Sequence, residues 1–192
     1  DTYSLLGNIY TNKNQLDSAQ YFIEEALKLL HENLDEKHPK LVENYTLLGN
    51  VYLKGNALDT ALNVFQQALA SSMLSFSNFK NIFVNPVPNK EIGTSDLLIA
   101  LMQKATAFQE KYDQTTDIKW LEEALKTCLI ADEFAQNMRI ALSYPDQVKL
   151  LDEMTGVYQI GTNVSYALFE LTNKNTYKER ILFFSEKKKA TT

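Results

Sequence analysis

The stretch Tyr45-Thr-Leu-Leu-Gly-Asn-Val-Tyr-Leu-Lys-Gly-Asn-Ala-Leu-Asp-Thr-Ala-Leu-Asn-Val-Phe-Gln-Gln-Ala-Leu69 decides the fold. Tyr45, Leu48 and Tyr52 recur three and four residues apart, which places them on one face of a helix. Gly49 lies between them and offers no Cβ, so a second helix can approach closely. Gly55 is expected to end this helix in a left-handed turn. Asn56 reads as the N-cap of a second helix, with Asp59 placed where an acid answers the cap and the helix dipole. Ala61, Phe65 and Ala68 stripe that second helix. Small, large and small along one face is what an antiparallel helical hairpin needs to pack tightly.

The same pattern occurs earlier. Tyr3, Leu6, Gly7, Tyr10, Ala19, Ile23 and Ala26 match Tyr45, Leu48, Gly49, Tyr52, Ala61, Phe65 and Ala68, each pair 42 residues apart (45 − 3). Asn14 and Asp17 match Asn56 and Asp59 at the same offset. Self-similarity at a fixed period signals stacked units that bury a core only together. These residues resemble the tetratricopeptide repeat (TPR), whose pattern runs bulky residue, Leu-Gly, Tyr, Ala, Phe or Tyr, Ala. The longer period, with His38-Pro39 between the copies, is similar to the kinesin-light-chain type of that repeat. The resemblance implies an all-α, right-handed α-solenoid of about four helical hairpins, the last two degenerate with longer helices. The expected division of residues 1–192 is a single solenoid. Its repeats fall at about 1–37 and 38–75, with an insertion at 76–94 and further repeats at 95–142 and 143–192. Because Asp1 stands two residues before a repeat's first core position, a fragment of a longer protein is expected.

Composition narrows the functional classes. The chain of 192 residues is 45% hydrophobic, enough for a sizeable core. Its net charge of −5 disfavours nucleic acid as a partner, since phosphate binding needs a basic face. Three lysines, Lys187, Lys188 and Lys189, complement a helix C-terminus rather than form such a face. One cysteine, Cys128, excludes an internal disulfide, and its expected place is the core rather than a reactive thiol site. His31 and His38 do not make a metal pair, because no further His or Cys can complete a zinc site; His38 suits a turn between repeats. No run is apolar enough to span a membrane. Neither a catalytic constellation nor a cofactor is expected, and a cytoplasmic location is favoured.

Beyond the two clear copies the pattern loosens. Residues 70–94 break the period, with Ser71, Ser72, Ser75 and Ser77 and then Asn85-Pro-Val-Pro-Asn89 and Gly93. Phe76, Phe79, Ile82 and Phe83 are expected to fold back on the helices. Ser95 reads as a cap. Leu101, Ala105, Phe108, Leu121 and Ala124 then fall 56 residues after their second-unit equivalents (101 − 45). Lys104 stands in place of a leucine and Asp117 in place of an alanine. Thr115 or Thr116 is expected to start the partner helix, so the first helix should be about a turn longer. That partner helix should run on through Ala131, Phe134, Ala135 and Met138 until Tyr144-Pro145. A long helix follows on Val148, Leu151, Met154, Tyr158, Val164, Leu168 and Leu171, with Gly156 and Gly161 as places for a bend. A turn at Asn173–Thr176 leads to a last helix with Tyr177, Ile181, Phe184 and Ala190.

A second resemblance covers about residues 95–190. Leu98-x-x-Leu101-x-x-Lys104-Ala105, Trp120-Leu-Glu-Glu-Ala-Leu125, Ile130-Ala-Asp132 and Phe184-Ser-Glu-Lys-Lys-Lys-Ala190 resemble the TPR region that precedes a CHAT domain, a caspase-like protease module of bacterial proteins. That family's catalytic His and Cys belong to the CHAT domain, so Cys128, His31 and His38 inherit no role.

In the TPR family the first helix of each hairpin lines a concave groove. The resemblance therefore implies a groove lined by Ser4, Asn8, Thr11 and Asn12 in unit one and by Thr46, Asn50, Leu53 and Lys54 in unit two. Met102, Thr106 and Gln109 take these places in unit three. The leading places lack the lysines and arginine that grip a C-terminal carboxylate. The paired Asn8 and Asn50 can instead bracket an extended backbone, since an amide offers donor and acceptor together. The expected function is a non-enzymatic module binding a protein or peptide, as the scaffold or sensor region of a CHAT-type protein. Intramolecular contact with a missing C-terminal domain is one form this could take. The alternatives are a structural arm that packs on its own catalytic domain or self-associates, and a kinesin-light-chain-like adaptor.

Overall fold

The computed structural model describes residues 2–88 and 92–191, without the side chains of Tyr144, Pro145 and Val148. The expectations for Asn89 and for the Tyr144, Pro145 and Val148 side chains lie outside the described residues. Within those residues the chain is all-α, with eight helices and no strand. They form two compact units, Asp1–Pro86 and Val87–Thr192.

The first unit holds α1 (Thr2–Asn12), α2 (Leu16–Asn33), α3 (Pro39–Lys54) and α4 (Leu58–Ser72). Each hairpin closes on its glycine. A Cβ built on Gly7 would stand 2.3 Å from Cγ1 of Ile23, and one on Gly49 would stand 2.3 Å from Cε1 of Phe65. The small–large–small stripe is the core of both hairpins, since Ala19, Ile23, Ala26, Ala61, Phe65 and Ala68 are all buried. Helix α3 also packs on α2, where Leu41, Leu48 and Val51 join Ala19, Ile23 and Leu27 in one apolar cluster.

The turn within each hairpin corrects one expectation. Gly55 has φ −78° and is not left-handed; the left-handed residues are Asn14 (φ 58°) and Asn56 (φ 60°). Asn56 is therefore not an N-cap. Ala57 and Gln15 hold that place, and neither makes a side-chain cap bond. Asparagine tolerates the left-handed region better than other residues with a side chain. The two turns match bond for bond: Gln15 N–H donates to Tyr10 O and Ala57 N–H to Tyr52 O, both at 2.9 Å. Between the hairpins, Pro39 opens α3 at a position that needs no N–H, and His38 caps it, Nδ1 accepting from Lys40 N–H at 3.1 Å.

After α4 the chain folds back only in part. Met73 and Phe76 are buried, but Phe79 and Phe83 are exposed. Polar ties hold this segment instead. Lys37 Nζ donates to Phe76 O at 2.7 Å and also to Ala70 O, while Gln66 Nε2 donates to Val84 O at 3.1 Å and to Asn78 O.

The second unit holds α5 (Ser95–Thr115), α6 (Ile118–Ala141), α7 (Tyr144–Thr172) and α8 (Asn175–Lys189). At 21 residues α5 exceeds the 16 of α3 by more than a turn, as the shifted spacing predicts. Its cap is Thr94, not Ser95: Thr94 is extended and its Oγ1 accepts from Leu97 N–H at 3.2 Å. Likewise Thr115 closes α5, Thr116 is left-handed, and Asp117 starts α6 by accepting from Lys119 N–H at 3.0 Å. The aspartate that departs from the repeat pattern is thus a cap. Helix α7 runs uninterrupted through both its glycines. Gly161 makes room for Phe184 of α8, whose ring carbons would stand 2.8 Å from an added Cβ. The fourth hairpin therefore closes as the first two do. Leu171, expected in the apolar series of α7, is exposed.

Candidate partner-binding surface

The predicted groove residues of the first unit lie on α1 and α3, which a cross-helix bond joins: Lys54 Nζ donates to Thr11 O at 3.1 Å. Asn8 and Asn12 are exposed and Ser4 is half-buried. Thr46 is buried, and its hydroxyl donates to Val42 O of its own helix at 2.7 Å, as Thr11 does to Gly7 O at 2.8 Å. Neither threonine side chain presents a donor outward. Asn50 differs from its repeat equivalent Asn8. It is half-buried, and its Oδ1 is shielded from solvent with no hydrogen-bond partner among the described residues. Thr106 lies on α5 in the second unit, half-buried, donating to Met102 O at 3.1 Å.

The first unit also carries two clefts that the sequence left unmarked. One, of about 310 Å³, is lined by Tyr3, Ser4, Ala26, Leu30, Leu34 and His38 among others. The second, of about 270 Å³, is lined by His31, Lys37, Tyr45, Ser71, Ser77 and Phe79 among others. Tyr3 and Tyr45 occupy the same repeat position, so the clefts sit at equivalent ends of the two hairpins. Within the second, His31 Nε2 and the Tyr45 hydroxyl share a hydrogen bond of 2.7 Å. Burial raises the Tyr45 pKa above its ordinary value. Both histidines are thus engaged in local bonds, and among the described residues no cluster of His, Cys, Asp and Glu could hold a metal ion.

The second unit buries ionisable groups. Cys128 lies in the core of α6, and burial pushes its thiol up to about 12, far from the range of a reactive thiolate. Lys104 is fully buried, and burial lowers its amine to about 7 against the opposing pull of Glu123. Asp132, 3% exposed, joins three helices: it accepts from the Tyr158 hydroxyl at 2.9 Å and from Gln136, and pairs with Lys187 Nζ at 3.1 Å. Burial first, and Asp132 second, hold the Tyr158 phenol well above its usual range. Lys187 therefore does more than complement a helix end. The clue in the sequence was Asp132 itself, an acid set among Cys128, Ala131 and Ala135.

Residues 1–72 match a family model described as tetratricopeptide repeat. The match ends where α4 ends and supports a TPR domain over that span, a class of all-helical module that generally binds proteins or peptides and is typically non-catalytic. No curated protein matches the chain. No helix among the described residues is long and apolar enough to cross a membrane.

Proposed function

We propose that this chain is a protein-interaction module whose α1 and α3 surface binds an extended peptide or a partner's extended segment, as the scaffold or sensor region of a CHAT-type bacterial protein. The observation that carries the binding mode is the Asn50 amide. A shielded acceptor without a donor costs about 1–3 kcal/mol, and a partner that supplies the donor offsets that cost. A turn of the half-buried Asn50 side chain brings that oxygen out to a backbone N–H of a bound segment, with Asn8 one repeat away and exposed. Lys54 and Asn12 border this line, while Thr46 and Thr11 serve as packing beneath it. The CHAT association rests on the resemblance of residues 95–190, from Leu98 and Lys104 through Asp132 to Ala190.

The test begins with peptides selected from a random library against the wild-type chain, titrated calorimetrically into wild type and into Asn8→Ala/Asn50→Ala. The double variant is expected to keep or slightly gain stability, because an unpaired buried acceptor is removed. Its affinity should fall by roughly 1–3 kcal/mol, about 5- to 150-fold. Equal affinities would take both asparagines out of the site.

A further inference from the structure

The two clefts of the first unit stand at equivalent repeat positions but differ in their linings. The 42-residue offset pairs Tyr3 with Tyr45 and Leu29 with Ser71 (71 − 29). The first cleft is walled by Ala26, Leu29, Leu30 and Leu34. At the second, Gln67, Ser71 and Ser77 bring polar side chains that bond to no other described residue. Gln67 and Ser71 are half-buried. His31 and Tyr45 share their hydrogen bond there. When the imidazole donates that bond, the phenol keeps its own proton for a ligand.

Charge and shape narrow the ligand. Lys37 is half-buried at this cleft, its Nζ donating to Phe76 O at 2.7 Å and to Ala70 O in the last turn of α4. Its full charge exceeds the roughly half a unit of negative charge at a helix C-terminus, so a fixed positive field remains. Glu36 also lines the cleft but is exposed, where water weakens its field. The rings of Tyr45 and Phe79 supply apolar wall. A cavity of about 150 Å³ holds benzene. The cleft's volume of about 270 Å³ leaves room for an anionic group beside such a ring. A phosphate presents three acceptor oxygens, which suits donors arriving from several elements better than a flat carboxylate does. We infer that this cleft binds an aryl phosphate, either free or as a phosphotyrosine side chain. The ring lies against Tyr45 and Phe79, and the phosphate accepts from Gln67, Ser71 and Ser77 beside Lys37.

The test titrates phenyl phosphate into the chain, following the nuclear magnetic resonance signals of Gln67, Ser71 and Ser77, with calorimetry for the affinity. Those signals should shift, and inorganic phosphate should bind about tenfold or more weakly because it buries no ring. Ser71→Leu, which restores the residue of the first copy, combined with Ser77→Ala should weaken phenyl phosphate by roughly tenfold or more, since two bonds to a charged group are lost. The melting temperature should stay unchanged. Asn8→Ala/Asn50→Ala should leave this affinity intact, which separates the cleft from the α1 and α3 surface. A short phosphotyrosine peptide that binds more tightly than phenyl phosphate assigns the ligand to a partner protein, and equal affinity assigns it to a free aryl phosphate. Benzoate or phenol binding as tightly as phenyl phosphate overturns the inference. So do unmoved signals at Gln67, Ser71 and Ser77, or an unchanged affinity in the Ser71→Leu/Ser77→Ala variant.

Discussion

Replacing Lys104 with leucine should stabilise the second unit, and the gain should shrink as pH rises. Lys104 stands where the repeat pattern has leucine, 56 residues after Leu48 (104 − 48). Its side chain is fully buried on α5, with Nζ 5.8 Å from the centre of the Phe108 ring and Glu123 across on α6. Burial lowers the amine from 10.5 to about 7. A lowered lysine pKa means that the unfolded chain binds more protons than the folded one between those two values, so stability rises with pH across that window. Below about 7 both states are protonated and this group adds no further slope. At pH 7 a shift of this size corresponds to a cost of about 4 kcal/mol, of which about 2 kcal/mol is relieved by pH 9. Lys104→Leu removes the charge and keeps the packing, so the variant should gain roughly 2–4 kcal/mol at pH 7 and clearly less at pH 9. Urea unfolding followed by Trp120 fluorescence reads this directly. Trp120 is the single tryptophan and stacks on Phe108 at 5.9 Å between ring centres. Tyrosine ionisation at high pH affects both proteins alike and cancels in the comparison. Parallel pH profiles for wild type and variant, or a less stable variant, would refute the reasoning.

Three further outcomes are expected. Gly49→Ala should cost about 1–3 kcal/mol by overpacking against Phe65, and Phe65→Leu should recover much of it; a double-mutant cycle of melting curves with no coupling would contradict the contact. Asn56→Ala should destabilise the first unit by about 1–2 kcal/mol through the left-handed backbone, whereas Asn56→Gly should be close to neutral in chemical denaturation. Asp132→Ala should loosen α8 and lower the Tyr158 phenol part of the way toward its ordinary range, burial being the larger cause, as ultraviolet titration of the tyrosines can follow; an unaltered titration curve would remove Asp132 as the second cause.

The hairpins were legible because their signal is redundant. Gly7 and Gly49 each face a large residue 16 positions on, Ile23 and Phe65, and two copies of one spacing leave little freedom. The turns were misassigned because glycine is the usual left-handed residue. Yet the chain already held the correction. Lys13 occupies the place of Gly55 in the first copy, whereas Asn14 and Asn56 are identical, so the residue common to both turns is the one whose backbone is special. The caps at Thr94 and Asp117 were missed by one or two residues, the usual uncertainty of a helix boundary, because Ser, Thr and Asp crowd both junctions. The second-unit glycine contact escaped because its partner Phe184 lies 23 residues after Gly161 rather than 16, a spacing stretched by the length of α7.

The surface was less legible, because residue type does not report shielding. Asn8 and Asn50 are the same residue at the same repeat position, but one amide is open and the other is closed off without a donor for its oxygen. Thr46 and Ser4 look equally available in the sequence, whereas the Thr46 hydroxyl is spent on Val42 O. What separates these pairs is the neighbour each copy happens to have. The same difference exposes Leu5 and Ile9 while their equivalents are covered. In a repeat protein the local pattern states what a position can do, and the surrounding hairpins decide whether it packs, binds or waits for a partner. At Asn50 and at the Leu5–Ile9 pair pattern and surroundings disagree: one holds an oxygen shielded without a bond, and the other is apolar and exposed.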